Sequence, residues 1–556
     1  MKPPLRRIAV AALAVAAAAL LPPGCAAFSK KPPADLQAPL FDDYGSYHHP
    51  ITTRVDLAQR FFDQGLVLAY GFNHAEAARS FREAARLDPE CTMAWWGLAL
   101  VLGPNINAPM PDEAVPEAYA AIRKAQDLAS KTSAKEWAYV EALAKRYSPA
   151  PVPDRSALDK AYADAMRELS RRFPDDPDAA TLFAEALMDC HPWDYWQKNG
   201  NPQEWTPELL ATIESVLSRW PDHPGALHLH IHAVEASPDP GRALASADRL
   251  LDLVPGAGHL VHMPSHIYIR VGRYHDGTEA NEKAHRADEA YVTQCRALGL
   301  YPLAYVPHNV HFIWACATME GRSDVAIKAA CKTAALADEK KMREPAFGTL
   351  QHFRTMPYHA YVRFGRWKDI LDELPPGDDL KYPKAIWHYA RGMAFAATGD
   401  YAAADKEYAD VVAIANDPAM EKIAIWGGNT AKTVISIARD VLSGEIHLRQ
   451  GRYDEAIARF ASASKVEDEL SYQEPPDWYQ PVRHSLGVAY LAKGAPGEAE
   501  KAYREDLKRH PENGWALFGL LQSLRAQGRI AEALEIDARF RKAWQHADVT
   551  LVASRF

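Results

Sequence analysis

Beyond residue 50, apolar residues recur at i, i+3, i+4 and i+7 through long alanine-rich stretches, and the strict alternation of a half-buried strand is almost absent. The pattern predicts an all-α protein. Glycine punctuates it at recurring places: Gly272-Arg273-Tyr274, Gly321-Arg322-Ser323, Gly365-Arg366-Trp367, Gly399-Asp400-Tyr401 and Gly451-Arg452-Tyr453 each read as a short turn between two helices. Asp189 to Pro207 and Tyr472 to Trp478, the latter holding Pro475-Pro476, read as insertions, and Gly103 to Met110 is too rich in breakers to be helical.

Small and large residues also keep fixed offsets from this punctuation. Gly65, Ala77, Phe81, Ala84 and Pro89 are followed in register by Trp95 to Ala99; the pattern returns at Gly392, Ala404 and Tyr408, at Gly444, Ala456, Phe460 and Ala463, and at Gly487, Ala499, Tyr503 and Pro511. This is the spacing of a tetratricopeptide repeat, a helical hairpin that cannot bury its apolar face alone and is buried by its neighbours. The expected architecture is a right-handed solenoid of about ten helix pairs. Its expected parts are amino-terminal units over 51–220, histidine-rich units over 221–375, and carboxy-terminal units with a cap over 376–556, where Trp515, Phe540 and Trp544 close the core.

The two ends of the composition narrow the function classes. A chain of 556 residues is too long for one compact core, and its net charge of −9 argues against a nucleic-acid partner, which would need a basic surface. Lys2, Arg6 and Arg7 precede an apolar run from Ile8 to Leu21, so residues 1–25 read as an export signal. Gly24-Cys25 predicts a lipid-bearing Cys25, with ordinary cleavage after Ala27 as the alternative, and residues 26–50, with Pro32, Pro33 and Pro39, read as a tether. The expected location is the periplasm or outer membrane of a bacterium, with a membrane reached only through that anchor. Cys91, Cys190, Cys295, Cys316 and Cys331 form no CxxC pair, which disfavours a thiolate zinc site.

The candidate chemistry is imidazole. In tetratricopeptide repeats the second, fifth, ninth and twelfth positions of each first helix face the concave groove. Pro221 and Pro255 lie one 34-residue period apart, so His228, His232 and Glu235 take positions five, nine and twelve of the intervening helix. Counting back from Gly272 gives His259, His262 and His266; from Gly321, His308 and His311; and from Gly365, His352 and His359 as a less certain edge. His230, His275 and His285 fall outside the set. Residues three or four apart on a helix are neighbours, as in paired helical histidine ligands. A transition metal, zinc, copper, iron or manganese, is the expected cofactor, with an enzyme as one form of that function. A polar groove for a peptide or protein partner is the alternative, and plain structural hydrogen bonding a third. His191 and Asp194, with the tryptophans of the 189–207 insertion, are candidates for contact with a small-molecule substrate. Tyr47-His48-His49-Pro50 reads as part of the tether.

The phrases Leu253-Val254-Pro255-Gly256-Ala257-Gly258-His259-Leu260-Val261-His262-Met263-Pro264-Ser265-His266-Ile267-Tyr268 and Tyr70-Gly71-Phe72-Asn73-His74-Ala75-Glu76-Ala77 resemble a group of large exported bacterial tetratricopeptide-repeat proteins. The resemblance spans nearly all of the chain after the signal. It implies the fold and export, and it carries no catalytic role.

Overall fold

The computed structural model describes residues 37–294 and 301–556. The expected signal, Cys25, Cys295 and most of the tether lie outside the described residues. Within them the chain is a succession of helical hairpins, among them Asp56–Tyr70 with His74–Leu87, Val306–Met319 with Ser323–Leu336, Lys381–Thr398 with Tyr401–Ala415, Ala431–Arg449 with Tyr453–Glu469, and Gly514–Ala526 with Ile530–Ala543. Strand structure among the described residues is confined to isolated bridges and one short antiparallel pair, Ala424–Ile425 with Asn429–Thr430.

The turn glycines are where the sequence places them, and their conformation says why they are glycine. Gly272, Gly321, Gly365, Gly399 and Gly451 all take φ between 64° and 87°, the left-handed conformation that ends a helix without a Cβ clash. A second use of glycine is close approach. A Cβ on Gly65 would lie 2.8 Å from the Phe81 ring, so Phe81 fills the space left by Gly65 and Gly97 on the two flanking helices. Tyr503 does the same against Gly487 and Gly519.

Three features depart from an open spiral. First, proline breaks two of the histidine-bearing helices: Gly258–His262 passes into Pro264–Val271, and Gly348–Arg354 into Met356–Arg363. Pro264 and Pro357 each lack the N–H that would continue the ladder, yet the residues around the break stay near helical angles, so the phase of the histidines survives. Second, the carboxy-terminal units fold back over the central ones. The Trp515 indole donates to the Thr318 carbonyl at 2.8 Å, Tyr479 OH donates to the Ala315 carbonyl at 2.6 Å, and Asp548 accepts from the Ser323 amide at 2.7 Å. Trp515, expected to close the core, is fully buried.

Third, residues 38–50 are not a tether. Ala38, Tyr44 and His49 are buried, and His49 Nδ1 donates to Asp178 Oδ2 at 2.6 Å. The same carboxylate accepts from Tyr47, Tyr70 and His223 on its other oxygen. Sequence pattern missed this because a proline-rich extended segment looks alike whether it is free or docked; what docks it is an aspartate more than 100 residues away. Cys91, Cys190, Cys316 and Cys331 are free thiols. No helix of the described residues is long and apolar enough to cross a membrane.

Candidate metal centre

Three first helices carry the centre. The helix Pro224–Val234 starts on a proline whose missing N–H costs nothing there, and the His223 ring accepts from the Ala226 amide as its cap. One turn apart on it stand His228 and His232, with Glu235 following at the helix end. The broken helix 258–271 supplies His259, His262 and His266, and Val306–Met319 supplies His308. All but His308 are buried, and His308 is partly so.

These side chains form two triplets. Ligand atoms of His228, His232 and His259 lie within 4.8 Å of one another, and so do those of His262, His266 and His308. In the first triplet the hydrogen-bond partners decide the tautomers. His228 Nδ1 lies 2.5 Å from the Tyr70 carbonyl, which can only accept, so Nδ1 carries the proton and Nε2 carries the lone pair. His232 Nδ1 donates to Glu235 Oε1 at 3.0 Å, with the same result. Neither Nε2 has a protein partner, and both nitrogens of His259 are without one. An unmet buried polar atom costs about 1–3 kcal/mol, so four on three neighbouring rings are an arrangement that a bound cation relieves.

The second triplet is wired alike. Asn281 Nδ2 donates to the Gly277 carbonyl, which fixes its amide orientation, and its Oδ1 accepts from His262 Nδ1 at 2.5 Å. His266 Nδ1 faces Glu235 Oε2 at 2.5 Å and Glu474 Oε2 at 3.1 Å. The two Nε2 atoms therefore point at each other, 2.9 Å apart. A carboxylate or carbonyl stands behind four of the six imidazoles, all but His259 and His308, and such a partner is how metal-binding histidines are oriented and made basic.

Charge follows from burial. Burial and the neighbouring imidazoles hold His228, His259, His262 and His308 well below the ordinary histidine value, and burial also lowers His232 against the pull of Glu235. These five are neutral at pH 7, the form that ligates. Burial alone would lower His266 too, but Glu235 and Glu474 outweigh it and push it up to about 10. In return His266 and His232 overcome burial at Glu235 and pull it down to about 2, whereas burial keeps Glu474 up at about 7.

Aromatic rings wall the centre. Phe312 lies 4.7–5.0 Å from His262, His266 and His308, and Tyr305 lies 4.7 Å from His259. Four non-glycine residues among those described have positive φ: Phe72, Trp193, Trp426 and Glu512. The three aromatic ones all sit on the histidines. Phe72 is 4.6 Å from His228, Trp193 is 5.1 Å from His232, and Trp426 is 5.4 Å from His308. Such backbone strain costs about 1–3 kcal/mol per residue and collects at functional sites. Trp193 and Trp426 are also 48% and 37% exposed, so they mark where the centre meets solvent.

The structure brings His228, His232, Glu235, His259, His262, His266 and His308 together in one cluster. His311 falls outside both triplets, because its ring stacks on Trp314 and turns toward Phe353 and His352. His352 is taken by Tyr382 OH at 2.7 Å, and His359 packs against Trp478. His191 stacks on Trp205 at 3.6 Å, and Asp194 accepts from Gln203 at 2.6 Å, so neither reaches the centre. Trp193 between them does. His191 and Pro192 instead line a cleft of about 830 Å³ with the 104–110 segment, Arg155, Arg167 and Trp205. The expected open groove is closed at the histidines, where the 472–480 segment enters it with Glu474, Trp478 and Tyr479 buried. Sequence reading identified that segment as an insertion and missed Glu474 as a member of the site.

Residues 62–130 and 484–548 match the tetratricopeptide repeat family. Both segments are tetratricopeptide repeats. No characterised protein sequence matches the chain. Among solved structures it is similar to the human IFIT1 dimer with m7Gppp-AAAA, at 14% identity over 88% of this chain and 90% of that one, TM-score 0.30. It is also similar to the Cut9-Hcn1 hetero-tetramer of APC/C, at 12% identity over 89% and 97%, TM-score 0.27. The P58(IPK) TPR domain gives 11% identity over 85% and 99%, TM-score 0.22. Nothing about the site follows from likenesses this distant.

Proposed function

We propose that this tetratricopeptide-repeat protein is a transition-metal protein of the bacterial cell envelope, exported by its first 25 residues and anchored through Cys25. Its ion sits among His228, His232 and His259. The observation that carries the reading is three neutral imidazoles within 4.8 Å whose lone-pair nitrogens lack protein partners while the Tyr70 carbonyl and Glu235 hold two of the rings from behind. Three protein ligands leave a position for water or substrate, as in catalytic zinc sites, so the reading extends to a metal-dependent enzyme. An all-nitrogen set suits zinc or copper better than manganese, which prefers oxygen.

Equilibrium dialysis of untagged protein against Zn²⁺ tests this. About one or more ions per chain should be retained, and His259→Ala should release an ion, whereas His230→Ala should not, because His230 is turned away to Ser246 Oγ at 2.8 Å. Retention below about 0.2 ion per chain by folded wild-type protein rejects the reading. A second reading, an interaction scaffold for a peptide or protein partner, rests on the 830 Å³ cleft beside the 189–196 insertion, since the groove itself is filled at the histidines.

A further inference from the structure

We infer that the centre holds two ions, one in each histidine triplet, and that together they form a binuclear site of the kind that a copper pair occupies. The inference rests on the metal reading above and adds the second triplet to it.

Within the first triplet the ring centroids are 4.7, 5.0 and 6.3 Å apart. Within the second they are 4.8, 4.9 and 5.8 Å apart. Across the boundary, His232 lies 5.8 Å from His266 and His259 lies 5.8 Å from His262. The boundary is no wider than the triplets themselves, so an ion in one is the immediate neighbour of an ion in the other. One broken helix serves both: His259 belongs to the first triplet, and His262 and His266 to the second, on successive turns.

His262 Nε2 and His266 Nε2 approach to 2.9 Å with their Nδ1 atoms engaged by Asn281 and by Glu235 with Glu474. At that distance the His266 Nε2–H donates to the His262 Nε2 lone pair, and a metal ion that displaces this proton to solvent is ligated by both nitrogens, with His308 as the third. Glu235 ties the triplets mechanically, since one oxygen holds His232 of the first and the other faces His266 of the second.

The donor set then selects the metal. Six imidazoles, three for each ion, with no thiolate and with the carboxylates standing behind the rings, suit late first-row ions, among which copper binds nitrogen most strongly. Adjacent ions with open positions could hold one small ligand between them, and Trp193 and Trp426 flank the solvent side of the first and second triplets respectively.

Titration of the metal-free protein with Cu²⁺, followed by ion analysis and electron paramagnetic resonance, tests the inference. Two ions per chain are expected, with the spectrum of the first diminished or dipolar-broadened as the second enters. His308→Ala should hold one ion with an isolated spectrum, and so should His259→Ala. Those spectra require no assumption about variant folding in the wild type, where the coupling itself is the readout. One ion per chain with an isolated spectrum, unchanged by His308→Ala, overturns the second site and leaves the first standing. No bound ion overturns both.

Discussion

Asp178→Ala should destabilise the protein by about 3–5 kcal/mol, the cost of removing one partner from a buried charge pair, and should free the segment 38–50 to proteolysis. The Asp178 carboxylate is buried and fully engaged: Oδ2 accepts from His49, and Oδ1 accepts from Tyr47, Tyr70 and His223. Burial would raise its pKa, but His49 and His223 outweigh that and hold it well below the usual carboxylate value. For His49 burial would lower the pKa, and Asp178 raises it instead. The effect reaches the histidine cluster, because Tyr70 donates to Asp178 through its hydroxyl while its carbonyl fixes the tautomer of His228. The pH dependence has a definite sign. A depressed carboxylate contributes its full stability above the free value of about 3.9 and loses it as pH falls below that value. A raised histidine contributes fully below about 6.5 and loses its share as pH rises through the higher folded value. The deficit of the variant should therefore be greatest between those limits and shrink on acidification below about pH 4. Thermal denaturation of both proteins across that range checks it; a deficit that grows in acid contradicts the assignment.

Glu235→Ala should have the larger effect on the centre, weakening metal retention by about 10- to 100-fold while also costing stability. The carboxylate orients His232 and stands against His266, and no other group takes its place on His232. Removing it leaves His266 with Glu474 as its one carboxylate partner. Glu235→Gln keeps one acceptor and should recover part of the loss. Competition against a chelator of known affinity measures both variants, and equal retention by wild type and Glu235→Ala would remove Glu235 from the account.

Much of this was legible in the sequence because a repeat converts chain position into direction. Pro221 with Pro255, Gly272 and Gly321 gave the register, and the register put His228, His259, His262 and His308 on one face. What periodicity could not reach is contact made by aperiodic segments over long separations. Glu474 arrives from an insertion more than 200 residues after His266. Trp193 and Trp426 enter from an insertion and from the three-residue turn between the two short strands, in strained conformations that no propensity favours. His311 shows the other limit, since its phase was right but the Trp314 ring beside it decided where the imidazole turned. His49 was misread for a related reason: the charge that docks it, Asp178, lies in a different hairpin.

Anomalous diffraction from crystals of the metal-loaded protein distinguishes a metal centre in the histidine row from ordinary packing of imidazoles. Data recorded at the absorption edge of the loaded metal should show a peak about 2.0–2.2 Å from His228, His232 and His259 nitrogens, with a second among His262, His266 and His308. Metal found only at surface carboxylates or exposed histidines, with the row free of anomalous density, would contradict the metal centre.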